Sequence, residues 1–122
     1  MFRLNVIRYF DAAHGLRNFQ GADEPIHSHH WKIEVSLESD QVDVSGCAID
    51  FHEVDRSIDE ALAPFAGKSF NDIPPFDVTS PSAELIAKYL YERLQKSLEK
   101  NGVILKGVTT CEDDCHCATY FA

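Results

Sequence analysis

His27 and His29, separated by one residue, have the clearest capacity for chemistry in this sequence. In an extended strand, residues i and i+2 point the same way, about 6.7 Å apart along the chain, so two imidazoles can converge on one ion. Neutral imidazole favours zinc, copper, iron or nickel over magnesium or calcium. A catalytic zinc usually takes three protein ligands and a water. His14 is the natural third ligand. It has the parity of Leu4, Val6 and Phe10, provided that strand geometry runs on that far. The competing reading is ordinary polar residues at a strand's wet end, and H-x-H spacing alone does not decide. His30 points to the opposite face and His52 falls in a first helical turn, so both read as solvated. His116 lies between Cys115 and Cys117 and could join a second metal site, but strand parity turns it away from both thiols.

The elements that must position these histidines follow from hydrophobic spacing. Residues 2–10 alternate, with Phe2, Leu4, Val6 and Phe10 on one face, and predict a strand. Residues 11–25 read as a loop. Residues 26–38 alternate more cleanly, so that His27, His29, Trp31, Ile33, Val35 and Leu37 share one face. The histidines thus begin a face that continues into the interior. Asp50 suits the N-cap of a helix, with Glu53 completing a capping box. Val54, Ile58 and Leu62 give that helix one buried stripe, and Pro64 and Gly67 end it. A loop containing Pro74-Pro75 follows. Ser80-Pro81 predicts the start of a second helix, with proline at its first position. Ile86, Tyr89, Leu90, Leu94 and Leu98 form its apolar face, and Asn101-Gly102 stops it. Residues 103–111 and 116–121 predict two strands around an acidic turn. Two hairpins bracketing two helices predict an α+β domain, a four-stranded antiparallel sheet with both helices on one face. Its sheet edges invite association between subunits.

Composition narrows the function. The 122 residues suit a single domain over 1–122, and 44% hydrophobic with 25% charged residues is ordinary globular usage. Eleven Lys+Arg against 20 Asp+Glu give −9, which excludes bulk electrostatic binding to nucleic acid. It leaves room for a small anionic substrate in a local basic pocket, for which Arg8, Arg17 and Lys68 are available. No run approaches the roughly 20 apolar residues of a membrane helix. The N-terminal MFRLNVIRYF carries charges within its apolar run, unlike a signal peptide. These features predict a cytoplasmic protein with no membrane partner, whose four cysteines are reduced thiols. No C-x-x-C pair is present, so neither a thioredoxin-type motif nor a zinc ribbon is supported.

The order of short motifs resembles the 6-pyruvoyl-tetrahydropterin synthase / 6-carboxy-tetrahydropterin synthase family. Phe10-Asp11-Ala12-Ala13-His14 is similar to its F-x-A-A-H segment, and His27-Ser28-His29 to its H-G-H. Gly46 to Phe51 is similar to G-x-x-x-D-F. Asn71 followed by Ser80-Pro81-Ser82-Ala83-Glu84 is similar to L-N…P-T-x-E, with Phe70 and Ser82 substituted. The resemblance spans nearly the whole chain. It implies a β-β-α-α-β-β tunnelling-fold subunit that forms trimers paired into homohexamers, with active sites between subunits. It implies Zn2+ on His14, His27 and His29. It also implies that Glu112, eight residues before Tyr120, grips the amino-pyrimidine edge of a pterin. Without the resemblance, Glu112 reads as a solvated turn carboxylate beside Asp113 and Asp114.

The departures bear on mechanism. The family's usual base is a cysteine shortly before H-G-H, assisted by an Asp-His pair before L-N. Here Asp23-Glu24-Pro25-Ile26 precedes His27, and Ala66 and Gly67 stand at the Asp-His positions. A subset of the family has a glutamate three residues before H-G-H, which Glu24 fits. The expected activity is therefore a zinc-dependent lyase acting on the side chain of 7,8-dihydroneopterin triphosphate, 6-carboxy- or 6-pyruvoyl-tetrahydropterin synthase-like and serving queuosine or folate biosynthesis. One alternative is a glutamate-based variant that makes 6-hydroxymethyl-dihydropterin for folate, with Glu24 as general base. Another is a non-catalytic zinc- or pterin-binding member, with Glu24 one more charge in an acidic loop.

Overall fold

The computed structural model describes residues 1–122. Strand β1 (Phe2–His14) and strand β2 (His27–Ser39) form a long hairpin. Helix α1 (Phe51–Leu62), a 3-10 turn (Phe70–Asp72) and helix α2 (Ala83–Leu98) follow. Strands β3 (Ile104–Asp113) and β4 (His116–Phe121) close the chain. The sheet order is β1-β2-β3-β4, with every neighbour antiparallel. This is the α+β architecture that the spacing of apolar residues predicts.

The alternation along β2 decides which face is covered. Trp31, Ile33, Val35 and Leu37 are fully buried, and Val6 and Phe10 of β1 and Leu105 and Val108 of β3 are buried beside them. Val54, Ile58 and Leu62 of α1, with Ile86, Leu90, Leu94 and Leu98 of α2, complete one continuous core. Between the helices, Phe65, Phe70 and Phe76 pack edge-to-face or stacked, with ring centroids 4.7 to 5.8 Å apart, so the connecting segment is itself part of the core.

Two boundaries and one capping contact differ from expectation, each for a local reason. β1 runs on to His14 instead of ending at Phe10, because residues 11–14 continue the ladder with residues 27–30 of β2. α2 starts at Ala83. Ser82 is its N-cap, with Oγ accepting from Leu85 N–H at 3.1 Å, so Pro81 lies before the cap. Asp50 does cap α1, but its carboxylate accepts from His52 N–H at 2.9 Å.

The expectation of four reduced thiols is corrected. Cys111 and Cys117 are joined in a disulfide, and only Cys47 and Cys115 are free. The two half-cystines are direct cross-strand partners in the β3–β4 hairpin, so the register alone brings their sulfurs together.

Candidate metal centre and cleft

The β1–β2 register builds the histidine cluster. His14, the last residue of β1, is paired with His27, the first of β2. His29 follows on the same face of β2. The three rings lie 4.7 to 5.1 Å apart between centroids, all edge-to-face. The fully buried Trp31 forms the floor, 4.9 Å from the His14 ring and 5.7 Å from that of His29. Its indole N–H donates to the carbonyl of Ala12, which fixes the ring.

Backbone carbonyls set the tautomers. His14 Nδ1 lies 2.8 Å from the Pro81 carbonyl and His27 Nδ1 lies 2.9 Å from that of Pro25. A carbonyl only accepts, so each Nδ1 carries the proton and each Nε2 keeps its lone pair. The Nε2 atoms of His14 and His29 are buried and have no hydrogen-bond partner. One potential ligand atom from each of the three rings lies within 4.8 Å of the others. Burial pushes the His14 pKa below its ordinary value, and the neighbouring rings of His27 and His29 add to this. The Pro81 carbonyl and Glu112 oppose the shift without reversing it. A neutral ring with an outward lone pair is the form that binds a metal.

Glu112 sits against this cluster. Its Oε2 lies 3.4 Å from His14 Nε2 and 3.8 Å from His29 Nε2. A carboxylate facing an imidazole lone pair is repulsive unless a cation or proton lies between them. The donor set, the orphaned nitrogens and the carbonyl-fixed rings together fit a divalent ion of the zinc type.

The loop over residues 15–26 is pinned beside the cluster. Asn71 clamps Gly15 from both sides, with Gly15 N–H donating to Oδ1 at 2.9 Å and Nδ2 donating to the Gly15 carbonyl at 2.8 Å. A Cβ at Gly15 would meet the Glu24 carbonyl at 2.5 Å, so only glycine fits. Glu24 Oε1 accepts from Leu16 N–H at 3.2 Å and lies 3.9 Å from His27 Nδ1. Glu24 thus lies beside the Nδ1 edge of the His27 ring, the edge turned toward the Pro25 carbonyl.

A cleft of about 610 Å³ opens beside His14, lined also by Leu16, Ser82, Glu112, Cys115 and His116 among others. Residues of the β3–β4 turn border it. Sequence spacing alone did not connect that turn to the histidines, because the contact depends on how β3 and β4 extend the sheet. The clamp by Asn71 and the carbonyls of Pro25 and Pro81 were likewise not deducible. Their only trace in the sequence is that Asn71 and Pro81 belong to motifs with no evident role of their own.

The other singled-out residues lie elsewhere. His30 faces away, stacked on Tyr9 and 2.7 Å from Asp11. His52 is exposed. His116 is paired with Asp113, and the disulfide removes Cys117 from any metal site. Arg8 is committed to Asp59, with contacts of 2.6 and 3.0 Å. Arg17 donates to the carbonyls of Asn71 and Phe76. Lys68 lines a separate hollow beside Asp11 and Ser28. No convergent phosphate pocket results from these three. Gly67 donates its backbone N–H to the Asp11 carbonyl, and no proton-transfer side chain stands there or at Ala66.

A β-β-α-α-β-β sheet with two helices defines a tunnelling-fold subunit. The family model for 6-pyruvoyl tetrahydropterin synthase matches residues 3–122, and the chain belongs to that family. Among solved structures, Caenorhabditis elegans 6-pyruvoyl tetrahydropterin synthase is similar over 99% of this chain and 95% of its own, at 21% identity and a TM-score of 0.87. The Plasmodium vivax 6-pyruvoyl tetrahydropterin synthase is similar over 98% of both chains, at 17% identity and a TM-score of 0.76. Two further structures of the Plasmodium vivax protein are catalytic-residue mutants in which a glutamate is replaced by cysteine or alanine. Likeness at these identities speaks for the fold. No curated protein matches the chain. No helix is long and apolar enough to cross a membrane.

Proposed function

We propose that this chain is a zinc-dependent lyase acting on the side chain of 7,8-dihydroneopterin triphosphate or a close relative, of the 6-carboxy- or 6-pyruvoyl-tetrahydropterin synthase type. The observation that carries the reading is the pair of buried, partnerless Nε2 atoms of His14 and His29 beside the Glu112 carboxylate. His14, His27 and His29 would hold the zinc. When bound, zinc supplies Lewis acidity toward the substrate's side-chain hydroxyls. Glu112, about one-third exposed to the cleft, would accept hydrogen bonds from the amino-pyrimidine edge of the pterin. The proposed assembly is a homohexamer of two trimers. The two edge strands, β1 and β4, leave each subunit's sheet free to be extended by its neighbours.

One observation favours a particular variant of this chemistry. Glu24 stands at the edge of the histidine cluster where no cysteine is available, and a glutamate is the catalytic residue of the Plasmodium vivax relative. On this second reading, Glu24 is the general base and the product is 6-hydroxymethyl-dihydropterin, the folate precursor.

Metal analysis and incubation with 7,8-dihydroneopterin triphosphate test both readings together. Stoichiometric zinc and a transformed pterin are expected. The product mass separates 6-carboxy-tetrahydropterin, 6-pyruvoyl-tetrahydropterin and 6-hydroxymethyl-dihydropterin. Tight pterin binding without turnover would contradict the lyase reading and leave a non-catalytic binding protein.

A further inference from the structure

We infer that the Cys111–Cys117 bond is a reversible thiol–disulfide switch, whose closed form holds Glu112 in the cleft and whose open form loosens the grip on ligand. The inference rests on the reading of Glu112 as the pterin acceptor and adds regulation to it.

The β3–β4 register places the bond beside Glu112. Pairing runs regularly from Gly107 and Phe121 to Cys111 and Cys117. The register then shifts, so that Asp113 meets His116 and Glu112 has no partner across the hairpin. A bulge residue of this kind is left out of the ladder. The tie next to it is the covalent one, between its immediate neighbour Cys111 and Cys117. Cys111 also pairs with Lys32 of β2, so it shares the sheet face opposite Trp31. Glu112 turns to the histidine face, with Oε2 3.4 Å from His14 Nε2.

The bond is open to attack and the fold does not depend on it. Cys111 is buried, whereas Cys117 is exposed and borders the cleft. A thiol reductant therefore reaches the Cys117 sulfur, and Cys111 is the leaving group. Exposed disulfides are the labile and regulatory ones, whereas structural disulfides resist the glutathione pool. The half-cystines are only six residues apart in sequence, and a cross-link over a short loop constrains the unfolded chain least. Neither half-cystine belongs to the hydrophobic core.

Opening and closing balance with a small thiol of the glutathione type. Its thiolate attacks Cys117 Sγ, the S–S bond breaks, and Cys111 leaves as a thiolate that takes up a proton. A second reductant thiol displaces Cys117 from the mixed disulfide, so two reductant thiols end as one disulfide and the protein gains two thiols. The disulfide form of the same reagent reverses the exchange. With the bond closed, the bulge presents Glu112 at one place against the histidines. With the bond open, ligand must order that side chain and its short loop on binding, which weakens affinity by about 2- to 10-fold.

Zinc-loaded protein treated with excess reduced glutathione, and then with oxidised glutathione, tests the inference. Peptide mapping should find the Cys111–Cys117 bond lost in the first step and restored in the second, while the circular-dichroism spectrum is kept. Neopterin should bind the open form about 2- to 10-fold more weakly than the closed form, with equal zinc content in both. Cys117→Ser should bind neopterin as the open form does and should not respond to reductant. The 13C carboxyl signal of Glu112 should differ between the two forms even without neopterin. A bond that survives excess reduced glutathione in the folded protein, equal neopterin affinity in the two forms, or an identical Glu112 signal would each overturn the inference. Neopterin bound by neither form overturns the pterin reading instead. In that event a shifted Glu112 signal still supports the switch, and a fixed one rejects it as well.

Discussion

His14 is the residue where the local physics is most constrained. It is buried, its Nδ1 proton is committed to the Pro81 carbonyl, and its Nε2 faces two imidazoles and a carboxylate. Because burial lowers its pKa, the folded metal-free protein holds it neutral. An unfolded histidine takes up a proton near pH 6.5. This group's contribution is thus fully present above that value and is lost as pH falls through it toward the lower folded pKa, at up to about 1.4 kcal/mol per pH unit. Denaturant titrations of metal-free protein between neutral and mildly acid pH should show stability falling, with the slope reduced in His14→Gln. His27→Ala should bring zinc content close to zero while the protein stays folded, because that ring is partly exposed. Unchanged zinc would defeat the ligand assignment. Glu24→Gln preserves the acceptor for Leu16 N–H and removes the proposed base. Its kcat is expected to fall by about 10²- to 10⁴-fold at constant zinc, and full activity would exclude Glu24.

At the scale of elements, the β1–β2 hairpin converts sequence spacing into a site. The i, i+2 spacing of His27 and His29 was legible because a strand has a period of two. The approach of His14 depended on β1 continuing four residues beyond its cleanest alternation, and Asp11 to His14 carry no apolar pattern that shows it. The N-terminus of α2 is the other positioning device. Ser82 caps it, and the Thr110 hydroxyl donates to the Ala83 carbonyl at 2.6 Å, tying the helix start to β3 beneath. Pro81, whose carbonyl orients His14, immediately precedes that cap. Ser82→Ala should therefore cost about 1 kcal/mol, a drop of a few degrees in Tm, and should also weaken zinc binding. A loss of stability without any change in zinc affinity would separate the helix start from the site. The start of α2 lies two residues beyond the expected one because Ser80 and Ser82 are both able caps. Only the hydrogen bond to Leu85 distinguishes them.

For the whole molecule, the fold was legible and the cleft was only partly so. Hairpin, two helices and hairpin follow from local periodicity, which each element displays within its own residues. The cleft joins His14 near the start of the chain to Glu112 and His116 near its end. That meeting depends on the sheet order, which no local pattern encodes. The disulfide was missed for a related reason. Cys111 and Cys117 become neighbours only through the β3–β4 register, which composition does not carry. The sheet ends in two edge strands, and Phe2, Ile7, Tyr9, Ile104 and Phe121 remain exposed on the subunit. On the proposed homohexamer, light scattering should report six times the subunit mass, and a stable monomer would count against sites shared between subunits. On the proposed function, the three histidines and the cleft beside His14 form a working lyase site. Mass analysis of pterins after incubating zinc-replete protein with 7,8-dihydroneopterin triphosphate tests it most directly. A side-chain-cleaved or eliminated product that disappears when the zinc is chelated is expected; substrate recovered intact from the zinc-replete protein would rule out a lyase site on these histidines.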